Sequence, residues 1–383
     1  MAVRVLHIIG QLGVGGCEKQ LLEICRRMDR GRFDLGVAYY ARMENDLVED
    51  FRRAGVSVWF TDKAAVGPWR FFLALRRFIR EFCPDVIHCW QYSPNCWGRL
   101  AAAGCGYGRY ICGERTATRL PRPLRLFEYV FGRRTLWTAN TSAVADALVR
   151  FAGCSRSRIR VLHNAVEVPA LDRAAARRSV RDELGLAPDA PLVLAVGRLH
   201  EAKNYPMFLR VARRVAARRP DAVFAVAGDG PLADELRALH AEMKLGDSLR
   251  MLGLRSDVPL LMAAADVFCL CSRWEGFPNV LVEAMASRLP AVTTSFAGVR
   301  EIVDDGPDRI ARAVDIDDDE AMAGHVAELL ADPVAGAALA DAACVSVRYR
   351  FSWDRLIRDL ERLYADFLAG IVEDRREVRD ADG

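Results

Sequence analysis

Short apolar runs alternate along the chain with longer stretches in which apolar residues recur at helical spacing. In the first half the runs are VRVLHII (3–9), DVIHCW (85–90) and RYICG (109–113). Strand-like runs separated by helical stretches are typical of βαβ units, whose strands form one parallel sheet. The pattern therefore predicts an α/β domain at the start of the chain.

The same alternation restarts further along the chain. The second series of apolar runs is PLVLAVG (191–197), AVFAVAG (222–228), SLRMLG (248–253), ADVFCLC (265–271) and PAVTT (290–294). The stretch between the two series is charged, contains prolines and has no long apolar run. We interpret residues 1–168 as one domain, 169–190 as a linker and 191–351 as a second domain. Two doubly wound parallel sheets of this kind are expected to face a central cleft with the carboxyl ends of their strands.

Composition narrows the function classes. A length of 383 residues suits two domains, and a net charge of +3 gives no indication of a nucleic-acid partner. The eleven cysteines form no CxxC pair, so we expect neither a disulfide framework nor a zinc site, and a reducing compartment. The first ten residues lack the pattern of an export signal, and no apolar run approaches the ~18 residues of a membrane span. We expect a cytoplasmic protein whose membrane contact, if it has any, is peripheral.

A glycine-rich loop, GQLGVGG (10–16), follows the first predicted strand. Glycines such as Gly15 and Gly16 let the backbone approach a ligand, and the free amides at the start of the next helix favour an anion. The spacing GxxGxGG differs from the dinucleotide fingerprint GxGxxG, and YYAR (39–42) offers no acid for a ribose, so NAD is not expected. The alternative is that the glycines serve only a tight turn.

The second domain opens with VGRLHEAKNYP (196–206), which places Gly197, Arg198 and Lys203 after a predicted strand. Two cations at the carboxyl end of a strand are suited to neutralising a diphosphate. Gly228, in AGDGP (227–231), adds a second glycine turn at the same edge. A solvated loop is the alternative.

The segment CSRWEGFPNVLVEAMAS (271–287) carries two carboxylates in apolar surroundings. We expect a loop over 272–278 and a helix that Asn279 caps, with Glu275 before the helix and Glu283 about one turn inside it. Amides at the helix start can hold phosphate oxygens, and the carboxylates can accept hydrogen bonds from sugar and ribose hydroxyls. Alternatively, Glu275 favours the helix dipole and Glu283 caps a neighbouring turn. The candidate ligand-binding residues of this segment are Glu275, Gly276, Phe277, Pro278, Asn279, Val280, Leu281 and Glu283.

These segments resemble a known family. The stretches GGCE (15–18), GRLHEAKN (197–204), AGDGP (227–231) and EGFPNVLVEAMASRLPAV (275–292) are similar to the retaining glycosyltransferases of family 4, which have the GT-B fold of two Rossmann-like domains. The similarity extends to HNAVEV (163–168) and FSWDRLIRDLERLY (351–364), and therefore covers nearly the whole chain. Glu275 and Glu283 match the family's E-x7-E element.

The resemblance implies roles for these residues. Glu283 would bind the ribose, Glu275 the donor sugar, and Arg198 with Lys203 the pyrophosphate, which makes Arg198, Lys203 and Glu275 the catalytic candidates. Arg255 is expected near the base, and the helix at 352–368 is expected to pack back on the first domain. The donor would be a nucleotide-diphosphate sugar, with UDP as the first choice. No cofactor and no metal is expected, because the acids DIDDDE (315–320) precede a helical stretch and are interpreted as a helix cap.

The first domain departs from the family pattern where the sugar is bound. Many members carry a histidine after the fifth strand, whereas ICGERTATR (111–119) places Glu114 and Arg115 there. His88, in HCWQYSPN (88–95), is a further candidate, and a buried strand residue is the alternative. His88, Glu114 and Arg115 are therefore the candidates on the acceptor or sugar side, while His7 is expected in the core.

The acceptor is expected on the first domain, as a glycan or lipid-linked sugar in the biosynthesis of surface polysaccharide or lipopolysaccharide. The stretches WRFFLALRRFIREF (69–82) and RLPRPLRLFEYVFGRR (119–134) interleave arginines with aromatic residues. Basic amphipathic helices of this kind can lie on an anionic bilayer. The alternative is that Phe72, Leu75 and Ile79 pack on the sheet while the arginines face solvent.

Three other functions compete with a transferase. A nucleotide-sugar epimerase of the GT-B type would release an altered donor without an acceptor. A phosphorylase would need a lysine for pyridoxal phosphate, of which the sequence shows no signature. A catalytically silent nucleotide-sugar-binding protein is the third, because of the changes near Glu114.

Overall fold

The computed structural model describes residues 2–116, 123–305 and 308–370. The chain divides into two compact units. Unit 1 runs to Ala165 and resumes at Trp353, and unit 2 comprises Val166–Ser352. The predicted boundary at residue 168 lies three residues from the observed one.

Unit 1 contains a parallel sheet of seven strands in the order β3-β2-β1-β4-β5-β6-β7. Its strands are β1 (Val3–Ile8), β2 (Phe33–Tyr39), β3 (Ser57–Phe60), β4 (Val86–Trp90), β5 (Tyr110–Glu114), β6 (Thr135–Ala139) and β7 (Ile159–Val161). Its helices are α1 (Gly16–Arg27), α2 (Val48–Arg53), α3 (Lys63–Phe82), α4 (Tyr92–Ala103), α5 (Pro123–Phe131), α6 (Ser142–Ala147) and, from the end of the chain, α15 (Trp353–Leu368). The central strands are buried on both faces, which explains their continuous apolar runs.

Helices cover both faces of this sheet. Side chains of α1, α2 and α15 pack on one face, and those of α3, α4 and α6 pack on the other. Helix α15 presents buried residues at i, i+4, i+7, i+8 and i+11, so one apolar stripe meets the sheet. The buried residues of that stripe are Leu356, Leu360, Leu363, Tyr364 and Phe367.

Unit 2 contains a parallel sheet of six strands in the order β10-β9-β8-β11-β12-β15 and a small antiparallel pair, β13-β14. Its strands are β8 (Leu192–Val196), β9 (Val223–Ala227), β10 (Leu249–Gly253), β11 (Val267–Leu270), β12 (Ala291–Thr294), β13 (Asp304–Asp305), β14 (Asp308–Arg309) and β15 (Arg312–Val314). Its helices are α7 (Arg173–Leu184), α8 (Tyr205–Ala216), α9 (Ala233–Glu242), α10 (Val258–Ala264), α11 (Asn279–Ala286), α12 (Arg300–Val303), α13 (Asp319–Ala331) and α14 (Pro333–Arg350). Both units are thus doubly wound α/β domains, as the alternating pattern predicts.

The interpretation of residues 169–190 as a linker is wrong. Most of this stretch forms α7, which belongs to unit 2. Ala176 and Val180 are buried, and Arg177 and Arg181 both donate to Asp266. The helix is held by two apolar residues and two ion pairs, and such a sparse apolar pattern does not stand out in a charged sequence.

In residues 2–116, 123–305 and 308–370, no single helix is long and apolar enough to cross a bilayer. One pair of helical segments, 319–331 and 333–368, meets the test together across a bend of 105°. Buried side chains of α13 and α14 belong to the core of unit 2.

Candidate functional site

The centre of the site in unit 2 is the point where the strand order reverses. Strands β8 and β11 are neighbours, and the chain leaves β8 toward β9 on one side and β11 toward β12 on the other. The loops that follow two such strands diverge and leave room at their carboxyl ends, where ligands of doubly wound sheets bind. Lys203 follows β8 and Glu275 follows β11, so both candidates lie at this switch point.

Lys203 and Glu275 form an ion pair. Lys203 Nζ lies 2.6 Å from Glu275 Oε1, and the two side chains are 18% and 15% exposed. Ser272 Oγ donates to the same carboxylate oxygen at 2.7 Å. The structure therefore brings together two residues that are 72 positions apart and were selected separately from the sequence. Both keep some access to solvent, as a ligand would require.

Two glycines permit close packing of the loops behind this pair. The backbone N–H of Gly197 donates to Ala227 O, and a Cβ built on Gly228 would lie 2.0 Å from Gly197 O. Gly197 and Gly228 both have positive φ angles, 149° and 152°. Any side chain at residue 228 would force the two loops apart, so this glycine is required by sterics as well as by backbone conformation.

A second group of polar residues ties the Lys203 and Glu275 loops together. Asn204 Nδ2 donates to Asp317 Oδ1 at 2.9 Å, and Arg273 Nη2 donates to the same oxygen at 3.2 Å. The N–H of Arg273 also donates to Ala202 O at 2.8 Å. Asn204 precedes α8, Arg273 precedes Glu275, and Asp317 precedes α13, so one carboxylate joins three loops. We name Asn204, Arg273 and Asp317 the loop brace.

Sequence reasoning missed the loop brace. The interpretation of DIDDDE (315–320) as a helix cap is confirmed for Asp318, which accepts from the N–H of Ala321 and starts α13. Asp317 has a different role, because its carboxylate points to Asn204 and Arg273. The number of acids in 315–320 could have indicated this second role, because a helix cap needs only one carboxylate.

Helix α11 begins one residue earlier than the cap assignment implied. Pro278 is the N-cap and Asn279 is the first helical residue, so the prediction that Asn279 caps the helix is wrong. Glu283 is the fifth residue of α11, as expected, and is half-buried. Arg198, after β8, is exposed. Gly276, Phe277, Val280 and Leu281 lie around the start of the same helix.

Arg255 forms ion pairs with two carboxylates of unit 2. Its Nε and Nη2 donate to Asp257, and its Nη1 and Nη2 donate to Glu183 on α7. These hydrogen bonds raise the pKa of Arg255. A role of Arg255 near a nucleobase stays a prediction.

In unit 1 the glycine loop leads directly into α1. Gly15 is the N-cap and Gly16 the first helical residue. A Cβ on Gly15 would lie 2.3 Å from Glu18 Oε2, so Gly15 makes room for the buried Glu18 carboxylate. Burial raises the pKa of that carboxyl.

Glu114 and Arg115 lie at the end of β5. Glu114 is buried, and its Oε1 accepts from the N–H of Arg115 while its Oε2 has no hydrogen-bond partner. Burial raises the pKa of Glu114 to about 7. The guanidinium of Arg115 lies 4.4 Å above the ring of Trp90, and its Nη1 donates to Asn164 Oδ1 at 3.1 Å. Their assignment to the acceptor or sugar side stays a prediction.

His88 is a core residue, and this corrects its assignment to the acceptor side. Its side chain is fully buried in β4, with Nδ1 2.9 Å from Tyr364 Oη and Nε2 3.4 Å from Thr138 Oγ1. Burial, with smaller contributions from His7 and Arg115, lowers its pKa well below the usual value. A neutral, enclosed imidazole ties α15 to the sheet. His7 is also fully buried, as predicted.

In the part of the chain that the structure describes, no group of three or more His, Cys, Asp or Glu residues could hold a metal ion.

Two family models match this sequence, one in each half. The model for glycosyltransferase family 4 matches residues 14–169, and the model for glycosyl transferases group 1 matches residues 176–343. Together they span nearly all of the described chain.

Curated proteins and solved structures agree with those matches. The chain is 30% identical to a lipopolysaccharide core biosynthesis glycosyltransferase of Rhizobium meliloti, over 68% of this chain and 69% of the relative. It is 29% identical to the UDP-Gal:alpha-D-GlcNAc-diphosphoundecaprenol alpha-1,3-galactosyltransferase of Escherichia coli, over 77% and 80%. The crystal structure of Anabaena HepE in complex with UDP-glucose superposes with a TM-score of 0.80 at 20% identity, over 96% and 99%.

Proposed function

This chain belongs to the family 4 glycosyltransferases of the GT-B fold, and from that premise we propose that it transfers a sugar from UDP to a lipid-linked or growing glycan, with retention of anomeric configuration. The enzyme class follows from the family. The donor, the acceptor and the stereochemistry are the proposal.

The observation that carries the proposal is the Lys203–Glu275 ion pair at the switch point of unit 2. Lys203 supplies positive charge for a diphosphate, and Glu275 supplies carboxylate oxygens for the hydroxyls of the attached sugar. Arg198, exposed at the end of β8, adds a second cation. Glu283 on α11 is assigned to the ribose.

The chemical step needs charge stabilisation above all. The bond between the anomeric carbon and the diphosphate oxygen breaks, and the acceptor oxygen forms a new bond to the same carbon on the same face. The proton of the acceptor hydroxyl passes to the departing phosphate oxygen. Negative charge grows on the diphosphate as the bond breaks, and Lys203 and Arg198 stabilise it.

Relatives support the choice of donor and acceptor. The Escherichia coli relative uses UDP-Gal and a diphosphoundecaprenol-linked acceptor, the Rhizobium relative acts in lipopolysaccharide core biosynthesis, and HepE was crystallised with UDP-glucose. We assign this chain to the same broad process, surface polysaccharide or lipopolysaccharide biosynthesis. The reaction as proposed requires neither a metal nor a cofactor, and we place it in the cytoplasm, where eleven free cysteines stay reduced.

The test begins with a thermal-shift comparison of UDP, GDP and ADP. A ligand that binds only the folded state raises the melting temperature, by an amount that corresponds to about 2.7 kcal/mol at 100 times its Kd. We expect the largest shift with UDP, and a smaller UDP shift in Lys203→Ala.

The second step is a donor panel with UDP release as the readout. Release of UDP together with a glycosylated acceptor supports the transferase. Conversion of the donor into another sugar nucleotide without UDP release would indicate an epimerase. Binding of UDP without turnover of any donor would indicate a nucleotide-sugar-binding protein.

A further inference from the structure

The outer face of α3 carries apolar side chains that the fold leaves in solvent. Leu75 and Ile79 point inward and are buried, as the simpler interpretation of this helix expects, and Phe71 is buried with them, whereas Phe72 is only half-buried. On the opposite side, Trp69 is 69% exposed and Leu73 is 43% exposed. Most of the Trp69 side chain lies in solvent, so packing on the sheet does not explain the apolar residues of the outer face.

Arginines continue the same outer face toward the end of α3. Leu73, Arg76 and Arg80 follow Trp69 at spacings of four, seven and eleven residues, which places all four side chains on one stripe of the helix. Arg77 lies beside this stripe. A depression of about 240 Å³ is lined by Leu73, Arg76, Arg77, Arg80 and Glu81. The Nε of Arg76 is buried without a hydrogen-bond partner.

Helix α5 repeats this arrangement. Leu126, Tyr129 and Val130 are 67%, 90% and 59% exposed, and their spacing of three and four residues places them on one face. The turn Gly132–Arg134, which follows α5, adds the exposed Arg133 and Arg134. Exposed apolar residues are again followed by arginines in the direction of the chain.

The two helices belong to one layer of unit 1. Helix α3 packs beside α4, and α4 packs beside α5. Leu100, on α4 between them, is also exposed. We name the exposed face formed by Trp69, Leu73, Leu100, Leu126, Tyr129 and Val130, with its arginines, the basic apolar face.

The charges on this face are almost all positive. Arg70, Arg77, Arg80, Arg133 and Arg134 are exposed and Arg76 is half-buried. The acid among the residues that line the depression, Glu81, already accepts from Arg77 at 2.6 Å. The nearby Glu128 is buried and paired with Arg99. A partner that covers this face must therefore bring negative charge together with an apolar interior.

An anionic lipid bilayer has both properties. Aromatic and leucine side chains of a surface helix enter the boundary between head groups and acyl chains, while arginines meet the phosphates. We propose that the basic apolar face docks unit 1 onto an anionic membrane, with Trp69, Leu73 and Tyr129 in the interface and Arg76, Arg77 and Arg80 on lipid phosphates. This docking surface is separate from the donor site, and its test does not depend on transferase activity.

The experiment is co-sedimentation with vesicles of phosphatidylcholine alone or with phosphatidylglycerol in equal parts. We expect binding to the mixed vesicles only, and weaker binding as the salt concentration rises. Charge reversal in Arg76→Glu, Arg77→Glu and Arg80→Glu should lower the partition coefficient about 100-fold or more, since each cation near the surface contributes about 1 kcal/mol. The matched control reverses Arg213, Arg218 and Arg348, which are exposed on unit 2, and should bind like the parent.

A second pair of variants tests the apolar part. Trp69→Ser with Leu73→Ser should lower partition about 10-fold, by loss of apolar burial. Brominated acyl chains should quench tryptophan fluorescence in the parent but less in Trp69→Phe. An unchanged UDP-induced thermal shift in every variant shows that the protein is folded and that its donor site is intact.

Three outcomes would overturn the docking surface. The first is a parent protein that does not bind the mixed vesicles. The second is equal binding of the parent and the Arg76, Arg77 and Arg80 variant. The third is a dimer in light scattering that Trp69→Ser with Leu73→Ser dissociates, because the face is then covered by a second copy of the chain.

Discussion

Units 1 and 2 each contain an ion pair between a cation and a glutamate, and the two pairs lie in opposite surroundings. In unit 1, Arg99 and Glu128 are 0% and 4% exposed. In unit 2, Lys203 and Glu275 are 18% and 15% exposed and follow two neighbouring strands. The chemistry of the pairs is alike, and their access to solvent differs.

The residues that surround each ion pair determine its role. Arg99 also donates to Asn95 O and Thr135 Oγ1 and lies against Phe127, Phe131 and Trp137, while Glu128 accepts from the indole of Trp137. An enclosed pair of this kind joins α4, α5 and β6. Lys203 has no such enclosure, and it can exchange its contact with Glu275 for a ligand. The buried pair is thus a structural element, whereas the half-exposed pair at the strand ends is the candidate for binding a ligand.

The largest effect on stability is expected from breaking the enclosed pair. Glu128→Gln leaves the Arg99 charge buried without a counter-charge and should lower the free energy of unfolding by about 3 to 5 kcal/mol. The measurement is urea unfolding, followed by a signal from unit 1. Glu81→Gln, which breaks the exposed pair with Arg77, is the control and should change stability by less than about 1 kcal/mol.

Replacing both members of the enclosed pair sharpens the comparison. Arg99→Met with Glu128→Leu should be more stable than Glu128→Gln, since no unpaired charge remains. If Glu128→Gln is as stable as the parent, the enclosed pair does not hold unit 1 together.

Mutation of the half-exposed Lys203–Glu275 pair should have the opposite effect, with a loss of turnover and little loss of stability. Lys203→Ala removes a cation that stabilises the departing diphosphate, and turnover should decrease about 100-fold, or about 3 kcal/mol, with little change in melting temperature. Arg237→Ala, an exposed arginine on α9, is the control and should retain full turnover. Full activity of Lys203→Ala with an unchanged melting temperature would contradict the assignment.

The contrast also explains how much the sequence could predict. Lys203 and Glu275 could be predicted as site residues because each follows a strand-like apolar run, and parallel strands place their carboxyl ends at one edge of a sheet. The loop brace could not be predicted, because a contact between Asn204 and Asp317 depends on the positions of three loops. Asn204 and Asp317 have positive φ angles, 51° and 67°, and the local sequence pattern does not predict them.

Exposure was the second limit of sequence reasoning. The periodicity of α3 predicted an inner face and an outer face, but not that Trp69 would remain in solvent. The polar composition of α7 did not predict a helix, because two arginines and Asp266 hold this helix in place. In both cases tertiary contacts decided the outcome, and the sequence gives those contacts no local signature.

The buried carboxyl of Glu114 should make stability depend on pH. Burial raises its pKa from 4.5 to about 7, so within this window the folded chain keeps a proton that the unfolded chain releases. Unfolding then releases a proton, and stability falls as pH rises from 4.5 to 7. Glu114→Gln removes this term and should be more stable than the parent by about 2 to 3 kcal/mol at pH 8, with little difference near pH 4.5.

The difference between Glu114→Gln and the parent is the quantity to measure, at several pH values. Glu18 is also buried with a raised pKa, and taking a difference cancels its contribution. A difference that does not grow with pH would show that Glu114 is not a protonated carboxyl in the folded state.

The smallest effect is expected at the loop brace, which acts on the half-exposed pair through its loops. Asp317→Asn keeps a residue type that tolerates positive φ but removes the charge that Arg273 contacts. Because a hydrogen bond to a charged group contributes about 1.5 to 3 kcal/mol, we expect kcat/KM to decrease about 10-fold. Asp318→Ala removes only the cap of α13, which contributes about 1 kcal/mol, and should lower the melting temperature without this loss of turnover. Equal turnover in the two variants would show that the loop brace supports the fold of unit 2 and does not position Lys203 and Glu275.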